Sequence, residues 1–345
     1  MNETINIRTD EGDIVEAQAP VVISASRATD IPAMHPEWFV ERLRKSYAVR
    51  VNPFNRRATY VSFRNARVVV FWSKNPRRLM PHLKEMDERG IGYYFQFTLN
   101  DYEREGLEPN LPPLRERIDT FRELSDTVGK EKVIWRFDPL MLTPQTDMLE
   151  LAGRIRRIGS LLKGYTDKLV FSFIDVKAYR GVRSNLIRKT SLFSAANVES
   201  AEPDDEAIDC FARALADIKA QWRAEGWNPD LATCAESADL EKYGIRHNRC
   251  IDDELMRRIF PDDAVLIHFL SCGSLPDERS PELPFDNPPK RASLKDRGQR
   301  KACGCIASKD IGSYGNCGHL CAYCYAMVSR KIEKAPSLSP KTGKK

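Results

Sequence analysis

The chain contains no apolar run approaching the ~20 residues that a membrane-spanning helix requires. With 30% charged residues, it reads as a soluble protein with no membrane partner. Its first twenty residues, MNETINIRTDEGDIVEAQAP, lack an apolar signal region and read as a flexible acidic leader, so the expected compartment is the cytoplasm. No G-x-G-x-x-G follows the first apolar strand, which weighs against a dinucleotide-binding sheet. Neither a Walker loop nor a Ser–His–Asp order appears. There are only five histidines and the net charge is only +5, too mild to argue for a nucleic-acid partner on its own. Cysteine is sparse everywhere except at one end: five of the nine fall within the 22 residues from Cys303 to Cys324.

What is present is an alternation of apolar strands and amphipathic helices. VVISAS (21–26), RVVVFWSKN (67–75), GYYFQFTLN, KVIWRFDPLML, KLVFSFIDV, PDLATCAE and AVLIHFL read as strands. HPEWFVERLRKSY, NPRRLMPHLKEMDERG (capped by Asn75), PLRERIDTFRELSDTVG, DMLELAGRIRRIGSLLKG and PDDEAIDCFARALADIKAQWRAEG read as helices. AVRVNPFNRRATYVSF reads as a hairpin turning at Asn55–Arg57. This order predicts an α/β fold: a full or partial (β/α) TIM-like barrel over 21–270. A Pro-rich linker or lid follows over 271–300, then a cysteine-rich cluster-binding segment packed on the barrel over 301–328, then a disordered basic tail over 329–345.

In an α/β barrel, the carboxyl ends of the strands converge on one mouth. The polar residues expected there are Ser26, Arg27, Thr29 and Asp30, Lys74 and Asn75, Thr98 and Asn100, Arg136 and Asp138, Asp175 and Lys177, Cys234 and Glu236, and His268. Among these, Arg27, Asp30, Asp138, Asp175, Lys177 and Glu236 are the candidate catalytic groups. Internal ion pairing is the alternative for each.

The terminal cysteines follow the spacing C-x-C-x11-C-x3-C-x2-C. Structural zinc usually takes four ligands from two C-x2-C knuckles, and only Cys321–Cys324 forms one. Iron–sulfur clusters accept thiolates on wrapping loops with short, unequal spacings. Cys317, Cys321 and Cys324 offer three such ligands, enough for a [4Fe–4S] cluster with one open iron, and Zn2+ is the alternative. Cys234, Cys250, Cys303 and Cys305 supply four further thiols. They are either a second centre, such as a second [4Fe–4S] cluster, or ordinary small buried residues. His319, inside the three-cysteine loop, reads as a donor near the cluster sulfurs.

The loop Cys317-Gly-His-Leu-Cys321-Ala-Tyr323-Cys324 resembles the C-x3-C-x-aromatic-C cluster loop of the radical S-adenosylmethionine enzymes. The segments ISASRATDIP, VNPFN, FWSKNP, YYFQFTLN, VIWRFDP, TCAE, CID, CGC and C-x3-C-YCYA resemble, in order, the bacterial domain-of-unknown-function family 1848 from about Val21 to Ala326. That family is known chiefly for C-terminal cysteines similar to a radical-enzyme cluster loop. The resemblance implies an enzyme that cleaves S-adenosyl-L-methionine to a 5′-deoxyadenosyl radical, with Tyr323 and Ser26 as cofactor contacts. It also implies a flavodoxin- or ferredoxin-like reductant and a small-molecule or nucleic-acid substrate. Two features depart from the radical-enzyme pattern: the loop comes last in the chain, and no Gly-Gly-Glu-like strand is present. Two further readings stand beside it. One is a zinc- or cluster-stabilised nucleic-acid-binding or repair protein; the other is an iron–sulfur redox protein that leaves the cofactor intact.

Overall fold

The computed structural model describes residues 3–52, 55, 57–276 and 293–327. Its twelve strands are β1 (Glu3–Arg8), β2 (Ile14–Ala19), β3 (Val22–Ala25), β4 (Tyr47–Val51), β5 (Ala58–Ser62), β6 (Val68–Ser73), β7 (Gly92–Thr98), β8 (Val133–Leu140), β9 (Lys168–Phe173), β10 (Asp230–Thr233), β11 (Ile245–His247) and β12 (Lys309–Asp310). The helices are α1 (Ile31–Met34), α2 (Pro36–Lys45), α3 (Leu83–Glu88), α4 (Leu114–Val128), α5 (Met148–Leu162), α6 (Arg180–Lys189), α7 (Asp205–Ala224), α8 (Asp253–Ile259) and α9 (Ala264–Cys272).

Eight strands form one parallel sheet in the order β11-β10-β9-β8-β7-β6-β3-β12. Side chains alternate across a strand, and here both faces are covered. On one face Tyr93, Phe95, Phe97, Trp135, Phe137, Leu169 and Phe171 pack beneath α4, α5 and α7. On the other, Val68, Val70, Tyr94, Ile134 and Val170 meet Leu255 and Met256 of α8 and Leu266 and Leu270 of α9. Burial on both faces explains why the strands read as continuous apolar runs. The mixed α/β fold follows the expectation, but a closed barrel is not seen: the outer strands β11 and β12 are not paired with each other. The chain just outside them does meet, through an Ile306 N–H to Ile251 carbonyl bond of 3.1 Å.

Several local expectations change. Within the segment read as a leader, β1 and β2 form an antiparallel hairpin that joins the 47–62 hairpin in a second sheet, β1-β2-β5-β4. AVLIHFL is not a strand but α9. Asp263 caps it by accepting from the Leu266 amide, and Leu266 and Leu270, four apart, face the core; a short apolar run has no periodicity that separates the two states. His268 therefore stands on a helix and not at a strand end. The helix expected after β6 is two 3-10 turns and then α3, and Asn75 makes no side-chain cap. The expected tail, 329–345, and residues 277–292 of the Pro-rich stretch lie outside the described residues. No described helix is long and apolar enough to cross a membrane.

Candidate functional site

The cysteine-rich segment folds back across the carboxyl ends of the strands. β12 pairs with β3, placing Lys309 opposite Ile23 and Asp310 opposite Ser24. The Arg27 amide then donates to Asp310 at 2.9 Å. Gly312 lies against Ser26, where a Cβ would stand 2.0 Å from the serine oxygen. Ser26 itself is buried and accepts from the Ala28 amide at 3.0 Å.

Three anchors then fix the loop that carries Cys317, Cys321 and Cys324. The first is Asp30, the buried N-cap of α1. It accepts from the Ala33 amide (3.0 Å), Ser73 Oγ (2.7 Å), the Lys74 amide (2.7 Å) and His319 Nε2 (2.8 Å). Burial works against its charge; the bond from His319, with those from Lys74 and Ser73, outweighs it and holds the carboxyl below the usual carboxylate range. The second anchor is Tyr323. Its hydroxyl donates to Glu108 and receives Lys74 Nζ (2.9 Å) and Asn100 Nδ2 (3.0 Å), while Lys74 pairs with Glu108 at 2.7 Å. Burial opposes the Lys74 ammonium, but Glu108 and the nearby Cys321 sulfur raise its pKa. In the third, Thr29 Oγ1 meets Asn316 Oδ1 at 2.6 Å, and Tyr325 donates to the Arg27 carbonyl at 2.9 Å.

The three loop sulfurs lie close enough to act on one another electrostatically, and burial raises all three thiol pKa values. Lys74 opposes that rise at Cys321, and Lys74 and Lys189 oppose it at Cys324. His319 Nδ1 is buried without a hydrogen-bond partner among the described residues.

The other four cysteines also meet. Cys234 follows β10, Cys250 follows β11, and Cys303 and Cys305 precede β12. Cys234 Sγ is 3.3 Å from Cys250 Sγ, and Cys305 Sγ accepts from the Cys250 and Ile251 amides at 3.2 and 3.4 Å. Cys305 also lies close enough to the Cys250 and Cys303 thiols to act on them electrostatically. Arg136 Nη1 and Asn248 Nδ2 donate to Cys250 Sγ at 3.0 and 3.3 Å. Hydrogen bonds from Cys234 and Cys305, with Arg136 and Arg27 nearby, push the Cys250 thiol down; the bond from Cys305 pushes Cys303 to about 6. All nine cysteines are free thiols.

The candidate catalytic groups divide. The Arg27 guanidinium lies 5.3 Å over Trp72 and near Cys305, Cys250 and Cys303. Asp138 accepts from Arg136 and Ser172. Asp175 pairs with Arg300 at 2.7 Å, which ties it to the C-terminal segment. Glu236 accepts from the Phe173 amide at 2.9 Å; burial, with Asp138 and Asp175 nearby, raises it to about 7. These groups share the same end of the sheet. Lys177 does not join them: its side chain is 66% exposed and pairs outward with Glu202 at 3.8 Å. Glu108 and Arg300 come from loops with no strand pattern to place them, and Arg117, which stands 3.7 Å from Glu108, comes from α4 and not from a strand end.

Among the described residues, no three His, Cys, Asp or Glu side chains stand in the geometry of a single bound ion. The 3.3 Å Cys234–Cys250 separation is shorter than the ~3.8 Å between sulfurs in a tetrahedral zinc site with 2.3 Å bonds and than the roughly 6 Å between the thiolates of a four-iron cubane, so either group would spread these two thiols apart. The donor chemistry nevertheless fits an anionic metal group. Seven thiols lie in two groups, with buried cations beside both and unpartnered buried nitrogens on His319 and Arg27. Lys74 and Arg136 already pair with Glu108 and Asp138, so it is the His319 and Arg27 nitrogens that have room for a further acceptor.

The sequence profile of the family described as Domain of unknown function (DUF1848) matches residues 22–326. No match appears among curated proteins or solved structures. The matched span runs from the start of the large sheet through both cysteine groups, and the chain belongs to this family.

Proposed function

We propose that the protein is a radical S-adenosylmethionine-type enzyme whose [4Fe–4S] cluster is held by Cys317, Cys321 and Cys324. The observation that carries this reading is the anchoring of a three-thiol loop, by Asp30 and Tyr323, over the strand ends where an α/β enzyme gathers its reacting groups. When bound, the cluster and S-adenosylmethionine supply one-electron chemistry that ends in abstraction of a hydrogen atom.

The chain's own residues have distinct tasks. Cys317, Cys321 and Cys324 act as three thiolate ligands and leave a fourth position open. Lys74 and Lys189 offset the thiolate charge. Asp30, His319 and Tyr323 fix the loop; with its hydroxyl fully engaged, Tyr323 acts as an anchor first. Asp138, Asp175 and Glu236 face the substrate side of the same end, with Arg136 and Arg300 holding two of them in place. The closing over of a barrel-like mouth by the C-terminal segment is part of this proposal, as is a flavodoxin- or ferredoxin-like reductant.

Purification without oxygen tests the metal assignment. A brown protein with thiolate-to-iron absorption supports the reading, and a colourless protein containing only zinc defeats it.

A further inference from the structure

We propose that Cys234, Cys250, Cys303 and Cys305 bind a second [4Fe–4S] cluster, one fully ligated by cysteine and located where the two edges of the large sheet come together. These thiols come from three separate segments, after β10, after β11 and before β12, yet they gather in one place: Cys234 Sγ meets Cys250 Sγ, the Cys250 amide donates to Cys305 Sγ, and Cys303 stands two residues from Cys305 within its electrostatic reach. Cysteines serving only as small core residues would have no need of charge beside them. Here two arginines approach. Arg136, 4% exposed in its side chain, donates to Cys250 at 3.0 Å. Arg27 lies close to Cys305, Cys250 and Cys303. Asp138 and Asp310 supply counter-charges, but Arg27 Nη2 is buried and has no acceptor among the described residues.

That orphan nitrogen separates the two metal chemistries. Zinc bound by four thiolates adds no new acceptor. A cubane brings inorganic sulfides, which accept N–H bonds and are tuned by them. The segment also lacks the paired C-x2-C knuckles typical of structural zinc. Arg27 links this group to the three-cysteine loop: its guanidinium lies within electrostatic reach of one, and its carbonyl receives Tyr325, the residue after Cys324.

The test uses the full chain carrying Cys317→Ala, Cys321→Ala and Cys324→Ala, reconstituted with iron and sulfide without oxygen. The expected product holds about four irons and four acid-labile sulfides. Adding Cys234→Ser together with Cys303→Ser, which leaves only two of the four thiols, should remove them while the far-ultraviolet dichroism is retained. A product with no iron, with one zinc and no sulfide, or with a Cys234–Cys250 disulfide overturns the proposal. Arg27→Met in the same background leaves every ligand in place. It should keep the iron and lower the midpoint potential of the dithionite-reduced spin-resonance signal; an unchanged potential overturns the Arg27 contact. Because the loop thiols are absent, these results do not depend on whether the loop binds S-adenosylmethionine.

Discussion

His319 Nε2 and Asp30 Oδ2 lie 2.8 Å apart although 289 positions separate them in sequence. This bond joins the last loop of the described chain to the turn after the first strand of the large sheet. It explains how a cysteine loop that comes late in the chain reaches the strand ends. His319→Ala should cost about 1–3 kcal/mol, the usual effect of leaving a buried charged acceptor short of one donor. Protease cutting within 317–324 should rise more than the loss of global stability accounts for. Equal cutting in variant and parent would show that the bond does not hold the loop.

Lys74 and Glu108 form a second, deeper tie, at 2.7 Å with side chains 16% and 4% exposed. Removing one partner of such a pair strands the other. Lys74→Met should therefore destabilise by about 3–5 kcal/mol in urea titrations. The double variant Lys74→Met, Glu108→Gln should be less unstable than Lys74→Met alone. Strict additivity of the two single changes would refute the coupling.

Glu105 and Arg154 pair at 2.7 Å, with side chains 0% and 2% exposed. Burial works against the Glu105 carboxylate, but the bonds from Arg154 and Thr146 outweigh it and hold its pKa below the ordinary 4.5. A depressed carboxyl pKa stabilises above the unfolded value, and that contribution disappears as pH falls through the folded one. The stability gap between the parent and Glu105→Gln should thus be full at pH 7 and shrink steadily below pH 4.5. A gap that widens in acid would contradict the assignment.

Two glycines in α5 give opposite expectations. A Cβ on Gly159 would stand 2.2 Å from the Trp222 ring, whereas one on Gly153 meets only flexible side-chain ends at 3.5 Å or beyond. Gly159→Ala should lower stability by about 1–3 kcal/mol through overpacking. Gly153→Ala should raise it by about 0.5–1 kcal/mol through helix propensity. Thermal melts of the two variants side by side check the contrast.

Much of the parallel sheet was legible because strands buried on both faces are continuous apolar runs: β6, β7, β8 and β9 all stand out this way. β11 and β12, three and two residues long, are too short to leave such a pattern. The hairpin of β1 and β2 was hidden by its exposed, polar composition, and α9 by an apolar run that suits either state. At the site, local spacing singled out the three-cysteine loop. The meeting of Cys234 and Cys250 with Cys303 and Cys305 depends on how the edges of the sheet approach each other, which spacing does not encode. Glu108 and Arg300 were invisible because their partners, Lys74 and Asp175, lie in distant segments.

The central claim is tested most directly by incubating the anaerobically reconstituted protein with dithionite and S-adenosylmethionine and measuring 5′-deoxyadenosine by chromatography. The expected result is 5′-deoxyadenosine from the parent and none from Cys321→Ala, with Lys177→Ala matching the parent. An iron-loaded parent that releases no 5′-deoxyadenosine, or a Cys321→Ala protein that releases as much as the parent, would contradict the account.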